Sequence, residues 1–268
     1  MDFIFEYYFD FGRMKDQLGP VLEGFWFTVK LSILGGVLAL AWGLILAILR
    51  QVPGKAAIPL RGLTIAYIDI FRGIPFLLVL LLVSGFMSAA TTQGGLFPRE
   101  IGIPGWLGQP SPFWYGIIAL TLTYGAYMAE VYRAGIEAVP SGQTEAARSL
   151  GMSHGQSMRY IVVPQAVRKV IPPLLNDFIA LMKDTSLVGV LGLIEVVQAG
   201  RNYESETFNG SALTLGAILF LLVTIPLARF VDYLIARQQK KTQRTDPGKA
   251  DDDAEKPAAP PATGMAGA

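Results

Sequence analysis

Ionisable side chains set inside apolar runs are the residues best placed to do chemistry in this sequence. Each is costly in a hydrocarbon-like interior and usually faces water, a ligand or another charge. Asp69 and Arg72 stand three apart in one such stretch, and Glu130 and Arg133 repeat the spacing in another. On a helix each pair shares a face, which leaves open an ion pair or a joint contact with a polar solute. Asp177, Lys183 and Asp184 follow, with Thr185 and Ser186 directly after. Lys183 and Asp184 are adjacent and point in different directions, so separate partners are expected for them. Asp177 lies seven residues, about two turns, before Asp184 and shares its face if the helix is unbroken. The alternative is that Asn176 and Asp177 cap a helix starting after Pro172-Pro173. Covalent catalysis and metal chemistry have little to build on. The only histidine, His154, cannot make a metal cluster by itself, and the absence of cysteine removes thiolate ligands and disulfides.

The elements that must hold these charges are membrane helices. The 268 residues are 52% hydrophobic and 16% charged. From Phe25 to Leu49 only Lys30 is charged, and roughly 25 residues rising about 1.5 Å each cross a hydrocarbon core of about 30 Å. Further spans are expected at Leu63–Met87, Phe113–Val131, Leu174–Val197 and Ser211–Ile235, giving an all-α polytopic membrane protein of about five transmembrane helices. Gly35, Gly36 and Gly43 in the first span allow a close packing seam or simply face lipid. The N-terminus lacks a basic region followed by a cleavable apolar core, so the first span is expected to be retained.

Basic residues orient the spans. Fifteen Lys and Arg fall at positions 50–61, 133–169 and 229–256, against Arg13, Lys15, Arg99 and Arg201 on the opposite side. The positive-inside tendency then places the N-terminus outside and the C-terminus in the cytoplasm. Residues 1–20 form an extracytoplasmic segment, 21–237 the transmembrane domain, and 238–268 a Lys, Asp, Pro and Ala rich tail expected to be disordered. The outer loop Ser88–Pro112, rich in Gly and Pro, is either a plain connector or a docking surface for an external partner. A net charge of +1 gives no reason to expect nucleic acid as a partner.

One polar segment interrupts this pattern on the cytoplasmic side. Glu145-Ala146-Ala147 is followed after three residues by Gly151, and after nine more by Ile161, Val163 and Pro164. It reads as a short helix, a glycine joint and a second short helix, which is a docking shape. The run resembles the Glu-Ala-Ala loop of permease subunits of ATP-binding-cassette importers, with Val163 where Leu is commoner. No ATP-binding loop is present: Gly54-Lys55 and Gly248-Lys249 are each followed by Ala, without the earlier glycine that a phosphate-cradling loop needs. The motor has to be another polypeptide, and no cofactor is expected in this one.

Three further stretches narrow the resemblance to the polar amino-acid branch, the histidine, glutamine, glutamate and arginine permease type. They are Tyr67–Pro75, Gly125–Ile136 and Lys183–Leu187, with Asp69 and Ile74 where the branch usually has Glu and Thr. The resemblance implies a multi-pass subunit of the bacterial inner membrane that pairs with a second permease subunit, identical or similar. It also implies a cytoplasmic ATP-binding subunit bound at Glu145, Ala146, Ala147, Gly151, Ile161 and Pro164, and an extracytoplasmic solute-binding protein that delivers a polar amino acid. Such a solute offers a carboxylate and an ammonium. Arg72 or Lys183 would meet the carboxylate, Asp184 with Thr185 and Ser186 the ammonium or the local backbone, and Asp177 a cationic side chain, with Asp69 and Glu130 also on the path. Two rivals make different demands: a secondary transporter would run on protons through Glu130 or Asp184 without an ATPase, and an intramembrane enzyme would need catalytic groups converging at one depth.

Overall fold

The computed structural model describes residues 2–92 and 111–245 and is helical, with no strand among those residues. Two short helices, α1 (Asp2–Tyr8) and α2 (Phe11–Asp16), lead into α3 (Leu18–Gln51), whose 34 residues are broken by no internal proline beyond the tolerated Pro20 in its first turn. Helix α3 stops where Val52 takes an extended conformation before Pro53, the conformation that a following proline favours. Then come α4 (Ile58–Gly73), α5 (Phe76–Thr92) and α6 (Ser111–Glu137). The polar segment forms α7 (Ser141–Ser149) and α8 (His154–Ser157), followed by a π-helical turn and α9 (Val163–Asp184). A 3-10 run from Thr185 to Leu191 leads to α10 (Val196–Thr207) and α11 (Ser211–Thr245).

Helices α3 and α11 are each long and apolar enough to cross a membrane, with mean hydropathies of 2.4 and 2.2. The segment expected to be one span over Leu63–Met87 is instead two helices, α4 and α5, bent by 111°. The cause is local. Pro75 forces Ile74 out of the helical region, to φ −99° and ψ 133°, and the chain restarts at Phe76 in a new direction. The run expected over Leu174–Val197 is not one straight helix either, since α9 ends at Asp184 and α10 starts only at Val196. Helix α11 continues through Thr245, past the expected boundary at 237. The rest of the tail and most of the Ser88–Pro112 loop lie outside the described residues.

Of the two alternatives left open around Pro172-Pro173, the structure shows the unbroken helix: α9 runs through both prolines, so Asn176 and Asp177 cap no helix start. A proline leaves the carbonyl four residues back without its usual donor. For Pro172 that carbonyl is Arg168, and the Gln238 side-chain amide of α11 donates to it. Pro164, near the N-terminus of α9, is preceded by the wider π turn Met158–Val162, which moves the preceding carbonyls away from its ring.

The core is the seam between α3 and α6. A Cβ added to Gly43 would meet the Gly125 carbonyl at 2.8 Å and Met128 Cβ at 2.9 Å, and one added to Gly125 would meet the Trp42 ring at 2.6 Å. Gly35 lies against Leu120 in the same way, while Gly36 receives the Phe178 ring of α9. These glycines therefore form a seam between helices and do not face lipid. Tyrosine hydroxyls staple the neighbours. Tyr67 of α4 donates to the Leu122 carbonyl of α6 and accepts from Trp42 of α3, both at 2.9 Å, while Tyr132 of α6 donates to the Leu40 carbonyl of α3.

Candidate functional site

Arg72 stands in the last turn of α4, just before the bend, and Asp184 ends α9, immediately before the 3-10 run. Both are thus presented where a helix gives way to another backbone geometry, and α6 fills the space between them. Tyr124 of α6 donates its hydroxyl to Asp184 Oδ2 at 2.8 Å. One turn on, the Tyr127 ring lies under the Arg72 guanidinium, 5.6 Å from its centroid, and the Tyr127 hydroxyl donates to the Arg72 carbonyl. Asp177 lies within electrostatic reach of Arg72 and of Tyr124. Its Oδ2 is buried with no hydrogen-bond partner. The unbroken α9 puts Asp177 and Asp184 on one face, as the seven-residue spacing requires.

This cluster brings a cation, two acids and two phenols to one side of α6. Arg72 is exposed, so the cluster lies open on a flank of the chain. Asp69 is also exposed and forms no ion pair with Arg72. Lys183 is exposed as well. The Thr185 and Ser186 hydroxyls are turned onto the backbone, donating to the carbonyls of Met182 and Lys183 at 2.7 Å. Of the two uses open to these hydroxyls, the structure shows the local one. Tyr124 and Tyr127 were not among the expected site residues. Their signal was present as two phenols three apart in a span, hence on one face with each other.

Glu130 is placed elsewhere. It accepts from Arg133 and pairs with Arg50 at the C-terminal end of α3, and Arg133 also pairs with Glu137. The expected Glu130–Arg133 pair is therefore one link of a four-residue network. Arg50 was invisible to local spacing because it is 80 residues away.

The second candidate region is the joint. Helix α7 ends in a Schellman turn: Gly151 N–H donates to the Arg148 carbonyl at 2.9 Å and Met152 N–H to the Ala147 carbonyl at 3.1 Å. Gly151 has φ +84°, the left-handed value that this turn demands. Ser153 then caps α8 in a reciprocal box with Gln156. Ala147 faces inward at 1% exposure, whereas Glu145, Ala146 and Leu150 point outward, Leu150 at 83%. Under the joint, Val139, Val162 and Ala166 form a small apolar base, backed by Ile136 and Met158. Ile161 and Pro164 lie where this base joins α9. The result is a short knob that turns Glu145, Ala146 and Leu150 outward, carried on the ends of α6 and α9.

Residues 39–240 match the family of binding-protein-dependent transport system inner membrane components. The glutamate/aspartate import permease protein GltK of Escherichia coli O6:H1 is 31% identical over 237 residues, which is 86% of this chain and 99% of GltK. The arginine transport system permease protein ArtQ of Bacillus subtilis is 29% identical over 232 residues, or 86% of this chain and 97% of ArtQ. Among solved structures, a crystal structure of an amino acid ABC transporter with histidines superposes with a TM-score of 0.72 at 31% identity, covering 85% of this chain and 98% of that one.

Proposed function

This chain belongs to the family of binding-protein-dependent transport system inner membrane components, and from that premise we propose that it carries a polar amino acid through the Arg72–Tyr124–Asp177–Asp184 cluster. It is a non-catalytic permease subunit of the inner membrane, working with an ATP-binding subunit and a solute-binding protein. The observation that carries the substrate reading is the juxtaposition itself. A guanidinium suited to an α-carboxylate stands over Tyr127 and within electrostatic reach of Asp177. Tyr124, one turn away on α6, holds Asp184, so two acids suited to ammonium groups gather on the same side of α6. Arg72, not Lys183, takes the carboxylate, because Arg72 is the cation within reach of Asp177. Asp184, held by Tyr124, takes the α-ammonium. Asp177, with an oxygen left unpaired, reads the side chain and favours a cationic one.

Because the cluster is open on one flank, a second permease subunit closes the path. The N-terminus lies outside and the C-terminus in the cytoplasm, which brings the α7–α8 knob to the side where ATP is available. There Glu145, Ala146, Ala147 and Gly151 form the surface that the ATP-binding subunit grips. Closure of two such subunits on ATP moves the knobs together and reverses which side the cluster opens to, and hydrolysis resets it. Glu130 serves the same motion as part of the brace between α3 and α6.

The test is uptake of radiolabelled amino acids into proteoliposomes holding this chain, its ATP-binding subunit and its solute-binding protein, with ATP inside. Gly151→Asp is the informative variant, because the added side chain meets open space but is forced into the left-handed region. ATP-dependent uptake by the wild type, lost in an inserted Gly151→Asp protein, is the expected result. Uptake driven by an ion gradient without ATP or ATP-binding subunit would overturn the reading and restore the secondary-transporter rival.

A further inference from the structure

Lys30 is the single charge in the long apolar run of α3, and the fold leaves it on the surface. Steps of three, four and seven residues put Trp26, Lys30, Ile33, Val37, Leu44 and Ile48 on one exposed stripe, on the side of α3 opposite the Gly35 and Gly43 seam. Because α3 is long and apolar enough to cross a membrane, that stripe is the one lipid touches. An ammonium within it is costly unless it reaches an anion or water. Lys30 has no ion pair and no hydrogen bond among the described residues. Its Nζ turns back over the Trp26 ring, 5.9 Å from the centroid, toward the nearer end of the helix.

A cleft of about 690 Å³ opens where Lys30 reaches, between the start of α3 and α10. Glu23, Asn202, Tyr203 and Glu206 line it together with Trp26 and Lys30. Glu23 and Glu206 are exposed and, like Lys30, unpaired among the described residues. The walls are fixed before any ligand arrives. Val196 N–H donates to the Thr28 hydroxyl at 3.4 Å, and a Cβ on Gly24 would come within 2.9 Å of the Glu195 backbone. Glu195 in turn caps α10, accepting from Val197 and Gln198.

The charges are layered along α3. Glu23 stands seven residues before Lys30, hence on the same face and about 10 Å nearer the helix end. Glu206 lies across the cleft on α10, and beyond Lys30 the stripe is apolar. A ligand that fits carries a cation outermost, an anion below it and hydrocarbon deepest. We propose that the cleft seats the head group of an ethanolamine-type phospholipid. Its phosphate pairs with Lys30, its primary ammonium lies between Glu23 and Glu206, and its acyl chains follow Ile33 and Val37. The site depends on the membrane span of α3 and not on the solute cluster, with which it shares no residue.

Other ligands match less of this order. Two carboxylates against one ammonium leave the cleft acidic, so a purely anionic head group is repelled. A choline head group has no N–H to donate to the carboxylates, whereas a primary ammonium has several. A free α-amino acid holds its two charges on one carbon, too close together to bridge the ~10 Å from Lys30 to Glu23, and leaves the apolar stripe uncovered.

The experiment is native mass spectrometry of the assembled transporter in mild detergent, with dioleoyl phosphatidylethanolamine, phosphatidylglycerol or phosphatidylcholine titrated in, alongside thermal unfolding of the same samples. Wild type is expected to hold phosphatidylethanolamine in preference to the other two and to gain Tm with it. Lys30→Met, and Glu23→Gln combined with Glu206→Gln, are expected to weaken that binding roughly tenfold or more, as loss of charge-assisted contacts requires, and Lys30→Arg to keep it. Methionine suits the lipid-facing stripe, so Lys30→Met should hold the wild-type Tm before lipid is added. A Tm already lowered there, or permease subunits released from each other in the spectrum, would assign Lys30 to the protein's own packing and overturn the site. Phosphatidylglycerol or phosphatidylcholine held as tightly as phosphatidylethanolamine overturns the ethanolamine assignment. Displacement of the lipid by a transported amino acid gives the cleft to the solute and also overturns it. Unchanged phosphatidylethanolamine binding by Lys30→Met leaves Lys30 as a cation that only reaches water, and ends the proposal.

Discussion

At the scale of single residues, the Tyr124–Asp184 bond belongs to the proposed solute cluster, whereas the Glu130 network ties α3 to α6. A hydrogen bond to a charged group contributes about 1.5–3 kcal/mol. Tyr124→Phe is therefore expected to lower uptake roughly tenfold or more, with the protein still inserted and folded, as read from radiolabel uptake and thermal unfolding of the same preparation. Asp177→Asn tests the side-chain reading: arginine or lysine uptake should fall relative to that of a neutral amino acid, and an unchanged ratio would remove Asp177 from selectivity. Glu130→Gln should act oppositely. It leaves Arg50 and Arg133 without their shared carboxylate, so stability should drop by an amount between the ~1 kcal/mol of an exposed pair and the ~3 kcal/mol of a buried one. The substrate preference should not move. Unchanged Tm with altered preference would return Glu130 to the solute path. Spacing alone brought Asp177 and Asp184 together correctly, since a seven-residue step is a property of one helix. It could not choose between Arg72 and Lys183, because that choice depends on how α4, α6 and α9 approach, which no local pattern encodes.

Elements show the same division. Apolar runs identify α3 and α11 because their length exceeds what a soluble core needs, and the Glu-Ala-Ala spacing identifies the joint because each position has a backbone reason. The α4–α5 bend is local too, and Ile74-Pro75 carries it in plain view, but an apolar run masks the turn inside it. The continuity of α9 has no local signal, and the carbonyl that Pro172 leaves open is met by Gln238 from 70 residues away. Gln238→Ala should cost about 1 kcal/mol and speed amide exchange around Pro172 and Pro173, as hydrogen exchange would report. In the seam, Gly43→Val must displace the Gly125 backbone, and overpacking of this kind costs about 1–3 kcal/mol. Its Tm should fall, and an unchanged Tm would mean that α3 and α6 separate freely. The contact of α1 with the turn between α10 and α11, where the Tyr7 hydroxyl donates to Glu204 at 2.8 Å and the Gly210 N–H to the Tyr7 carbonyl at 3.0 Å, makes a pH prediction. The hydrogen bond to Glu204 raises the Tyr7 phenol above its ordinary 10.0, so its contribution is complete below that value and is lost as pH rises through the raised one. Exchange at Gly210 should accelerate there, and Tyr7→Phe should abolish the pH dependence.

At the scale of the whole molecule, the two candidate regions occupy different parts of one helical frame. The knob hangs from α6 and α9, while the proposed solute cluster lies between the ends of α4 and α9 and the middle of α6. Helix α9 belongs to both, so a push on the knob reaches Asp184 along one continuous element. The glycine seam gives this frame a mechanical character. Gly43 rests on the Gly125 backbone, and Gly125 and Gly35 seat the Trp42 and Leu120 side chains at closest approach, so little is left to absorb a displacement and α3 with α6 is expected to move as a single stiff beam. The joints of the mechanism must then lie elsewhere, at the Gly73–Pro75 bend and in the 3-10 run after Asp184. A beam of this kind can serve as an internal ruler. The chain contains no cysteine, so two introduced spin labels, one on the outer face of each seam helix, would report without background. Their separation should hold constant through the ATP cycle while distances from the beam to α5 change.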